Sequence, residues 1–115
     1  MIIKDNDRSI KTREAMRGGP GVVYIKDIVG KDDLYEKGRL YAQMCLKPGC
    51  GVGYHEHEGE EEIFVITKGT AIYSDDGREQ EVGVGDVMIC PDGHGHAITN
   101  RSGSDCEFTA LIVYT

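Results

Sequence analysis

From residue 22 onward, short apolar runs alternate with turn-forming residues, and this pattern predicts β-strands. The first run, 22–29, is rich in β-branched residues, and the run 40–46 alternates between apolar and polar side chains. The later predicted strands cover residues 53–57, 62–67, 70–74, 80–82, 86–90, 96–100 and 106–114. Short strands at this close spacing are typical of a sandwich or barrel. We therefore predict a single all-β domain over residues 22–115, preceded by a short N-terminal arm over residues 1–21.

The segments outside these runs contain residues that cap helices or turn the chain. In the arm, Ser9 is placed to cap a short helical turn that continues through Met16, and the glycine-rich residues 18–21 end it. Residues 31–38 are polar and predict one more helical turn. Residues 75–77, Asp-Asp-Gly, predict a β-hairpin, because a primed turn requires positive φ at its centre.

The charge balance of the chain argues against two classes of partner. With 20 acidic and 13 basic residues, the formal net charge is −7 at pH 7. Nucleic acids and anionic membranes bind clustered Lys and Arg, so we expect neither as a partner. The one local basic cluster consists of Lys11, Arg13 and Arg17, with Glu14 between them in sequence. We interpret it as a solvated face.

The apolar runs and the cysteines together indicate a cellular location. No apolar run is long enough to span a bilayer, and residues 1–10 lack the apolar centre of a signal peptide. A cytoplasmic location is therefore expected, and Cys45, Cys50, Cys90 and Cys106 should be free thiols there. None of them belongs to a CxxC pair, which argues against a structural zinc site of the cysteine type.

Two histidines, His55 and His57, are separated by a single residue within a predicted strand. Positions i and i+2 of a strand point to the same face, about 6.5–7 Å apart, so both imidazoles can reach one ion. Glu62 opens the next predicted strand, and a hairpin would return its carboxylate to the histidine pair. His96 begins a later strand and is the fourth candidate. Three imidazoles and one carboxylate suit a divalent transition metal such as iron, manganese, nickel or zinc.

The acidic residues around Glu62 leave an alternative open. Glu60 and Glu61 adjoin it in sequence and could replace it as a ligand, Glu61 being the main alternative. Otherwise we expect Glu58, Glu60 and Glu61 to be solvated loop charges. Their negative potential would favour the capture of a cation.

His94 repeats the two-residue spacing before His96, but it lies in a predicted turn and need not share the same face. We expect His94 to be exposed or to line the mouth of the pocket, where an acid–base role is the alternative. Cys50 and Cys90 flank the candidate ligands in sequence. A thiol can tune a metal site, but we interpret these two as small hydrophobic residues.

Strand parity predicts which residues line the interior. Phe64 and Ile66 share parity with Glu62 and should face inward. In the strand 40–46, one face consists of Tyr41, Gln43 and Cys45 and the other of Ala42, Met44 and Leu46. The sequence does not decide which face points inward. If the polar face does, Tyr41 and Gln43 are candidates for the pocket.

The spacing of these residues resembles that of the cupin superfamily. Its first motif, G-x5-H-x-H-x4-E-x6-G, is matched by Gly49, His55, His57, Glu62 and Gly69. Its second motif, G-x5-P-x-G-x2-H-x3-N, is matched by Gly85, Pro91, Gly93, His96 and Asn100. The glycine spacing selects Glu62 over Glu61, and the second motif selects His96 over His94.

The resemblance implies a small antiparallel β-barrel of jelly-roll type with a metal inside. It assigns His55, His57, Glu62 and His96 as the metal ligands, and it implies that Asn100 fixes the end of its strand through hydrogen bonds. An exchange of the arm between subunits, which the resemblance also implies, would make the chain a homodimer.

The resemblance leaves the activity open. One hypothesis is a metal-dependent enzyme acting on a small polar substrate, as a dioxygenase, a decarboxylase or an isomerase. The catalytic residues are then unknown, and the nearest arginines, Arg39 and Arg101, form no obvious carboxylate clamp. The alternative is a non-catalytic module that binds or senses a small ligand. A structural cupin without metal is disfavoured, because the ligand set is complete.

Overall fold

Alternating apolar and polar residues form ten β-strands, and the structure, a computed structural model, describes residues 1–115. The strands are β1 (Ile10–Glu14), β2 (Val22–Asp27), β3 (Gly38–Leu46), β4 (Gly51–Glu56), β5 (Glu60–Lys68), β6 (Thr70–Asp75), β7 (Arg78–Gly83), β8 (Val87–Cys90), β9 (Gly95–Thr99) and β10 (Cys106–Tyr114). The helical segments are three 3₁₀ turns, Asp5–Asp7, Met16–Gly18 and Lys31–Leu34. None of these turns has the length and apolar character of a membrane-crossing helix.

The strands pair in antiparallel fashion and form two sheets of jelly-roll type. One sheet has six strands in the order β1-β2-β3-β10-β5-β8, and the other has four in the order β4-β9-β6-β7. Sixteen buried hydrophobic residues form one core cluster contributed by both sheets. The prediction of an all-β antiparallel barrel is confirmed, although no strand pair joins the edges of the two sheets.

The burial of β3 and β5 shows which faces point inward. The buried residues of the two strands include Ala42, Met44, Leu46, Glu62, Phe64 and Ile66. The predicted inward face of β5 is therefore confirmed. In β3 the apolar face points inward, and Tyr41 and Gln43 are exposed on the outer face. These two residues are consequently not part of the interior.

The arm differs from the sequence prediction. A helical turn from Ser9 through Met16 is wrong, because β1 occupies this stretch and pairs with β2 over its full length. The free edge of β2 offers unpaired backbone N–H and C=O groups, and pairing with them satisfies more of the arm's backbone than one helical turn. Ser9 does not cap a helix; its carbonyl accepts a hydrogen bond from the Asp27 N–H instead.

After β1 the arm crosses to the four-stranded sheet and lies directly against β4. A Cβ on Gly19 would lie 2.5 Å from the Gly51 carbonyl oxygen, and a Cβ on Gly53 would overlap the Arg17 carbonyl oxygen. Only glycine permits this backbone approach. Because Gly53 lies two residues before His55, the contact fixes the arm beside the candidate site.

Two further sequence predictions are confirmed at turns. The hairpin between β6 and β7 has Asp76 at φ 51° and Gly77 at φ 91°, as a primed turn requires. Asn100 follows β9, and its side-chain amide donates to the carbonyl oxygens of Leu46 at 2.8 Å and Ser104 at 2.7 Å. These bonds fix the end of β9 against the neighbouring segments.

Candidate metal centre

β4, β5 and β9 bring His55, His57, Glu62 and His96 together inside the barrel. His55 lies opposite His96 in the register of β4 and β9. Directly opposed residues of an antiparallel pair share a face, so both imidazoles point the same way. Gly59, at φ 74°, turns the chain after His57, and β5 returns Glu62 to the cluster. The structure thus brings together all four residues that the sequence singles out.

The donor atoms of this cluster all lie within 4.8 Å of one another. His57 Nε2 is 3.2 Å from His55 Nε2 and 3.1 Å from His96 Nε2. Glu62 Oε1 is 3.1 Å from His57 Nε2 and 3.0 Å from His96 Nε2. His57, Glu62 and His96 are buried, whereas His55 is partly buried.

Hydrogen bonds on the far side of the rings orient His55 and His57. His55 Nδ1 donates to the Gly53 carbonyl oxygen at 2.8 Å, and His57 Nδ1 donates to the Glu60 carboxylate at 2.8 Å. A carbonyl and a carboxylate only accept, so each Nδ1 carries the proton. The Nε2 lone pairs of both rings are therefore free to face the centre of the cluster.

The His96 ring is held from two sides. Its Nδ1 lies 2.8 Å from the hydroxyl oxygen of buried Tyr73, and the Phe64 ring stacks on it with centroids 5.1 Å apart. Burial raises the pKa of Tyr73, so this partner stays a neutral phenol. Packing and one polar contact together aim His96 Nε2 at the other donors.

The charges of the cluster fit a cation at its centre. A hydrogen bond with Glu62 raises the pKa of His57, and burial lowers the pKa of His55. Burial alone raises the pKa of Glu62, but hydrogen bonds with His57 and His96 outweigh it and lower that pKa. A proton on an imidazole and a metal ion compete for the same lone pairs. The group could hold a metal ion, and its donor set suits a divalent transition metal.

Glu60 is not the solvated loop charge that the sequence predicts. It lies in β5 with 13% of its side chain exposed, and the Arg39 guanidinium donates two hydrogen bonds to it at 2.6 and 2.8 Å. The hydrogen bond from Arg39 and that from His57 lower the pKa of Glu60 to about 2. Glu60 shares strand parity with Glu62, and that parity is the sequence signal for its inward position. Glu61 has the opposite parity and is not part of the cluster.

His94 and the cysteines lie where the sequence predicts. His94 is half exposed, and its Nδ1 is 2.6 Å from the Asp76 carboxylate, which raises the pKa of His94. Cys90 is buried opposite Glu62 in the register of β5 and β8, and burial raises the pKa of its thiol to about 12. Cys90 therefore packs as a small hydrophobic residue. Cys50 is partly buried, and all four cysteines are free.

A cavity of about 500 Å³ reaches the cluster, and His55, His57 and Glu62 form part of its wall. Its basic wall residues are Lys11, Arg13, Arg17 and Arg39. The arm's basic cluster is exposed to solvent, as expected, and its side chains also line the cavity. Lys11 and Arg13 are two residues apart, so they share a face on a strand but not on a helix. The predicted helical turn therefore missed their common position.

We expect Glu60→Gln to weaken metal binding by about tenfold, because His57 loses its charged partner and becomes a weaker donor. Metal affinity is measured by competition with a chromogenic chelator. Glu61→Gln, one residue along the same strand on its outer face, is the matched control and should keep wild-type affinity. Wild-type affinity in Glu60→Gln would show that His57 needs no carboxylate partner.

Known proteins share both the fold and the sequence of this chain. A family model described as "Cupin domain" matches residues 42–114. An oxalate-binding protein from Thermotoga maritima is 36% identical over 113 residues, covering 98% of this chain and 93% of that protein. The crystal structure of a predicted oxalate decarboxylase from Thermotoga maritima has a TM-score of 0.94 at 36% identity and covers 100% of both chains.

A more distant structure agrees in fold alone. The polyketide cyclase from Streptomyces resistomycificus has a TM-score of 0.77 at 20% identity, covering 99% of this chain and 78% of its own. The family match spans β4, β5 and β9, which carry the four converging donors. On this agreement of sequence and fold, the chain belongs to the cupin family.

Proposed function

We propose that His55, His57, Glu62 and His96 are the ligands of a divalent transition metal at which the protein binds a small carboxylate. The convergence of three imidazole nitrogens and one carboxylate oxygen within 4.8 Å carries this proposal. Iron, manganese, nickel and zinc all suit such a donor set. The bound metal would supply a Lewis acid that attracts a carboxylate.

The charge of the cavity wall supports an anionic ligand. The chain as a whole has a net charge of −7, yet the wall contains Lys11, Arg13, Arg17 and Arg39. These four cations outnumber the two carboxylates of the wall, Glu14 and Glu62, and an excess of positive charge raises the local concentration of anions. Oxalate, which the 36% identical relative is named for binding, is the simplest ligand of this class.

Apolar residues of the same wall would strengthen that binding. Met44, Val52 and Phe64 line the cavity beside the ligands and are buried. They exclude water from one side of the bound anion, and a lower local dielectric strengthens its attraction to the cations. The side chains of this chain thus bind and orient the carboxylate.

Metal content and oxalate binding test the proposal together. Protein reconstituted with Mn²⁺, Fe²⁺, Ni²⁺ or Zn²⁺ should retain one equivalent of ion by elemental analysis, and calorimetry should show oxalate binding only after reconstitution. His55→Ala and His96→Ala should each lose the metal, since each removes a donor.

The matched control is His94→Ala, which removes an imidazole outside the cluster and should retain the metal. Circular dichroism checks that each variant folds. Equal oxalate binding with and without metal, or metal retained by both donor variants, would contradict the proposal.

Decarboxylation of oxalate is a second candidate function. Breaking the C–C bond of oxalate releases carbon dioxide, and the remaining carbon must take up one proton to become formate. The solved structure that is 36% identical is described as a predicted oxalate decarboxylase, and this likeness supports the candidate.

For this enzyme, the metal-reconstituted protein should release formate from oxalate, and His96→Ala, which lacks one proposed donor, should release none. His94→Ala, which changes a histidine outside the cluster, is the control and should release formate at the wild-type rate. Oxalate binding without formate release would reject the enzyme and leave the binding function.

We also infer a homodimer. The exchange of the arm stays a prediction, and the outer face of one sheet offers a further interface. On the outer face of the six-stranded sheet, an apolar row runs across four strands in register: Ile89, Ile63, Leu111 and Tyr41. Soluble monomers rarely expose contiguous apolar patches, and a second copy related by a twofold axis would cover this one.

Light scattering after size exclusion should therefore give twice the mass of one chain. Ile89→Lys, at a position 51% exposed, should give the monomer mass, because it puts a charge into the proposed interface. Tyr35→Lys, at a residue 82% exposed and outside the sheet, should leave the dimer intact. A monomer mass for the wild-type chain would exclude the dimer.

A further inference from the structure

The arm directs two cations toward the interior of the barrel. In the register of β1 and β2, Lys11 lies opposite Ile25 and Arg13 lies opposite Val23. Directly opposed residues of an antiparallel pair point to the same face, and Ile25 and Val23 are buried in the core. Lys11 and Arg13 therefore face the cavity, although β1 itself is exposed to solvent.

Two arginines on this wall have no carboxylate partner. The salt bridges of the chain use Arg8, Arg39 and Arg101 but neither Arg13 nor Arg17. Glu14 is the only acid beside them in the arm's part of the wall. The rim of the cavity consequently carries a net positive charge and two unpaired guanidinium groups.

Along the six-stranded sheet, apolar side chains lie between the arm's strand and Glu62. The strand order β1-β2-β3-β10-β5 places three strands between β1 and Glu62 on β5. The cavity-lining residues of these three strands are Ile25, Leu40, Met44 and Ile112, together with Arg39. The cavity wall thus combines the proposed metal ligands, apolar side chains and the cations of the arm.

The cavity is also larger than oxalate requires. Its volume is about 500 Å³. One water molecule takes about 30 Å³ in the liquid. At that volume for each heavy atom, the six heavy atoms of oxalate would occupy about 180 Å³. Oxalate bound at the metal ligands would therefore leave room in the cavity beside the arm's cations.

We propose that the preferred ligand is a linear dicarboxylate longer than oxalate, with one carboxylate at the metal and the other bound by Arg13 and Arg17. This inference rests on the metal site proposed above and specifies its ligand class. Guanidinium groups bind a carboxylate through two parallel hydrogen bonds, which suits arginine better than lysine. The methylene spacer packs along the apolar wall, and each buried methylene adds to the affinity.

Calorimetry on the metal-reconstituted protein tests this ligand class. The probes are oxalate, succinate, adipate and suberate, each longer diacid being compared with the monocarboxylate of the same chain length. We expect the tightest binding for a diacid longer than oxalate, and about tenfold weaker binding for its monocarboxylate match, because the match lacks the charge-assisted bonds at the rim.

Variants of the arm locate the second carboxylate. The double variant Arg13→Gln, Arg17→Gln should bind the preferred diacid no better than its monocarboxylate match. Its oxalate affinity should fall less than its diacid affinity, because oxalate loses only the long-range attraction of the two charges. Arg13→Lys with Arg17→Lys keeps the charge and should retain part of the diacid affinity. Arg101→Gln removes an exposed arginine that pairs with Glu79, and it should change the affinity of neither oxalate nor the diacid.

The possible failures are distinguishable. If metal and oxalate bind but no longer diacid binds better than its monocarboxylate match, the ligand class is wrong and the metal site stands. If the glutamine variant loses oxalate and diacid affinity equally, the arm attracts anions in general and the proposed contact is wrong. Loss of metal or oxalate binding in the wild-type protein would overturn the proposed function and this inference together.

Discussion

Three imidazole nitrogens and one carboxylate oxygen meet in the interior at distances near 3 Å, and other parts of the chain hold them there. Donors this close repel one another unless they share a positive charge, supplied by a proton or by a metal ion. Each ring must therefore be fixed from behind. The Gly53 carbonyl, the Glu60 carboxylate and the Tyr73 hydroxyl provide those contacts for the three rings.

Placing a carboxylate inside an apolar barrel is unfavourable without partners. Glu62 has two imidazole partners, and Glu60 has both an imidazole and the bidentate Arg39. The result is a charged network in which every buried side-chain polar atom is satisfied. Such a network holds the donors in one geometry, so a metal ion would not need to reorganise the rings on binding.

The arm connects the fold with the selection of a ligand. Its β1 strand uses the free edge of β2, and its glycine-mediated contact with β4 anchors it beside His55. The donors of the candidate metal centre come from β4, β5 and β9, whereas the unpaired cations of the cavity come from the arm. Changes in the arm could therefore alter the ligand without altering the metal centre.

The sequence by itself determined the strands from residue 22 onward, the inward face of β5 and the four residues that converge. Strand period, turn residues and motif spacing are local properties, and a small antiparallel barrel preserves them. The division into an arm over residues 1–21 and a barrel over residues 22–115, and the cytoplasmic location, stay predictions. Tertiary structure alone decided that residues 10–14 form a strand, because only the free edge of β2 favours it over a turn. It also decided the pairing of Arg39 with Glu60 and the entry of Arg13 into the cavity wall, since both depend on register between strands distant in sequence.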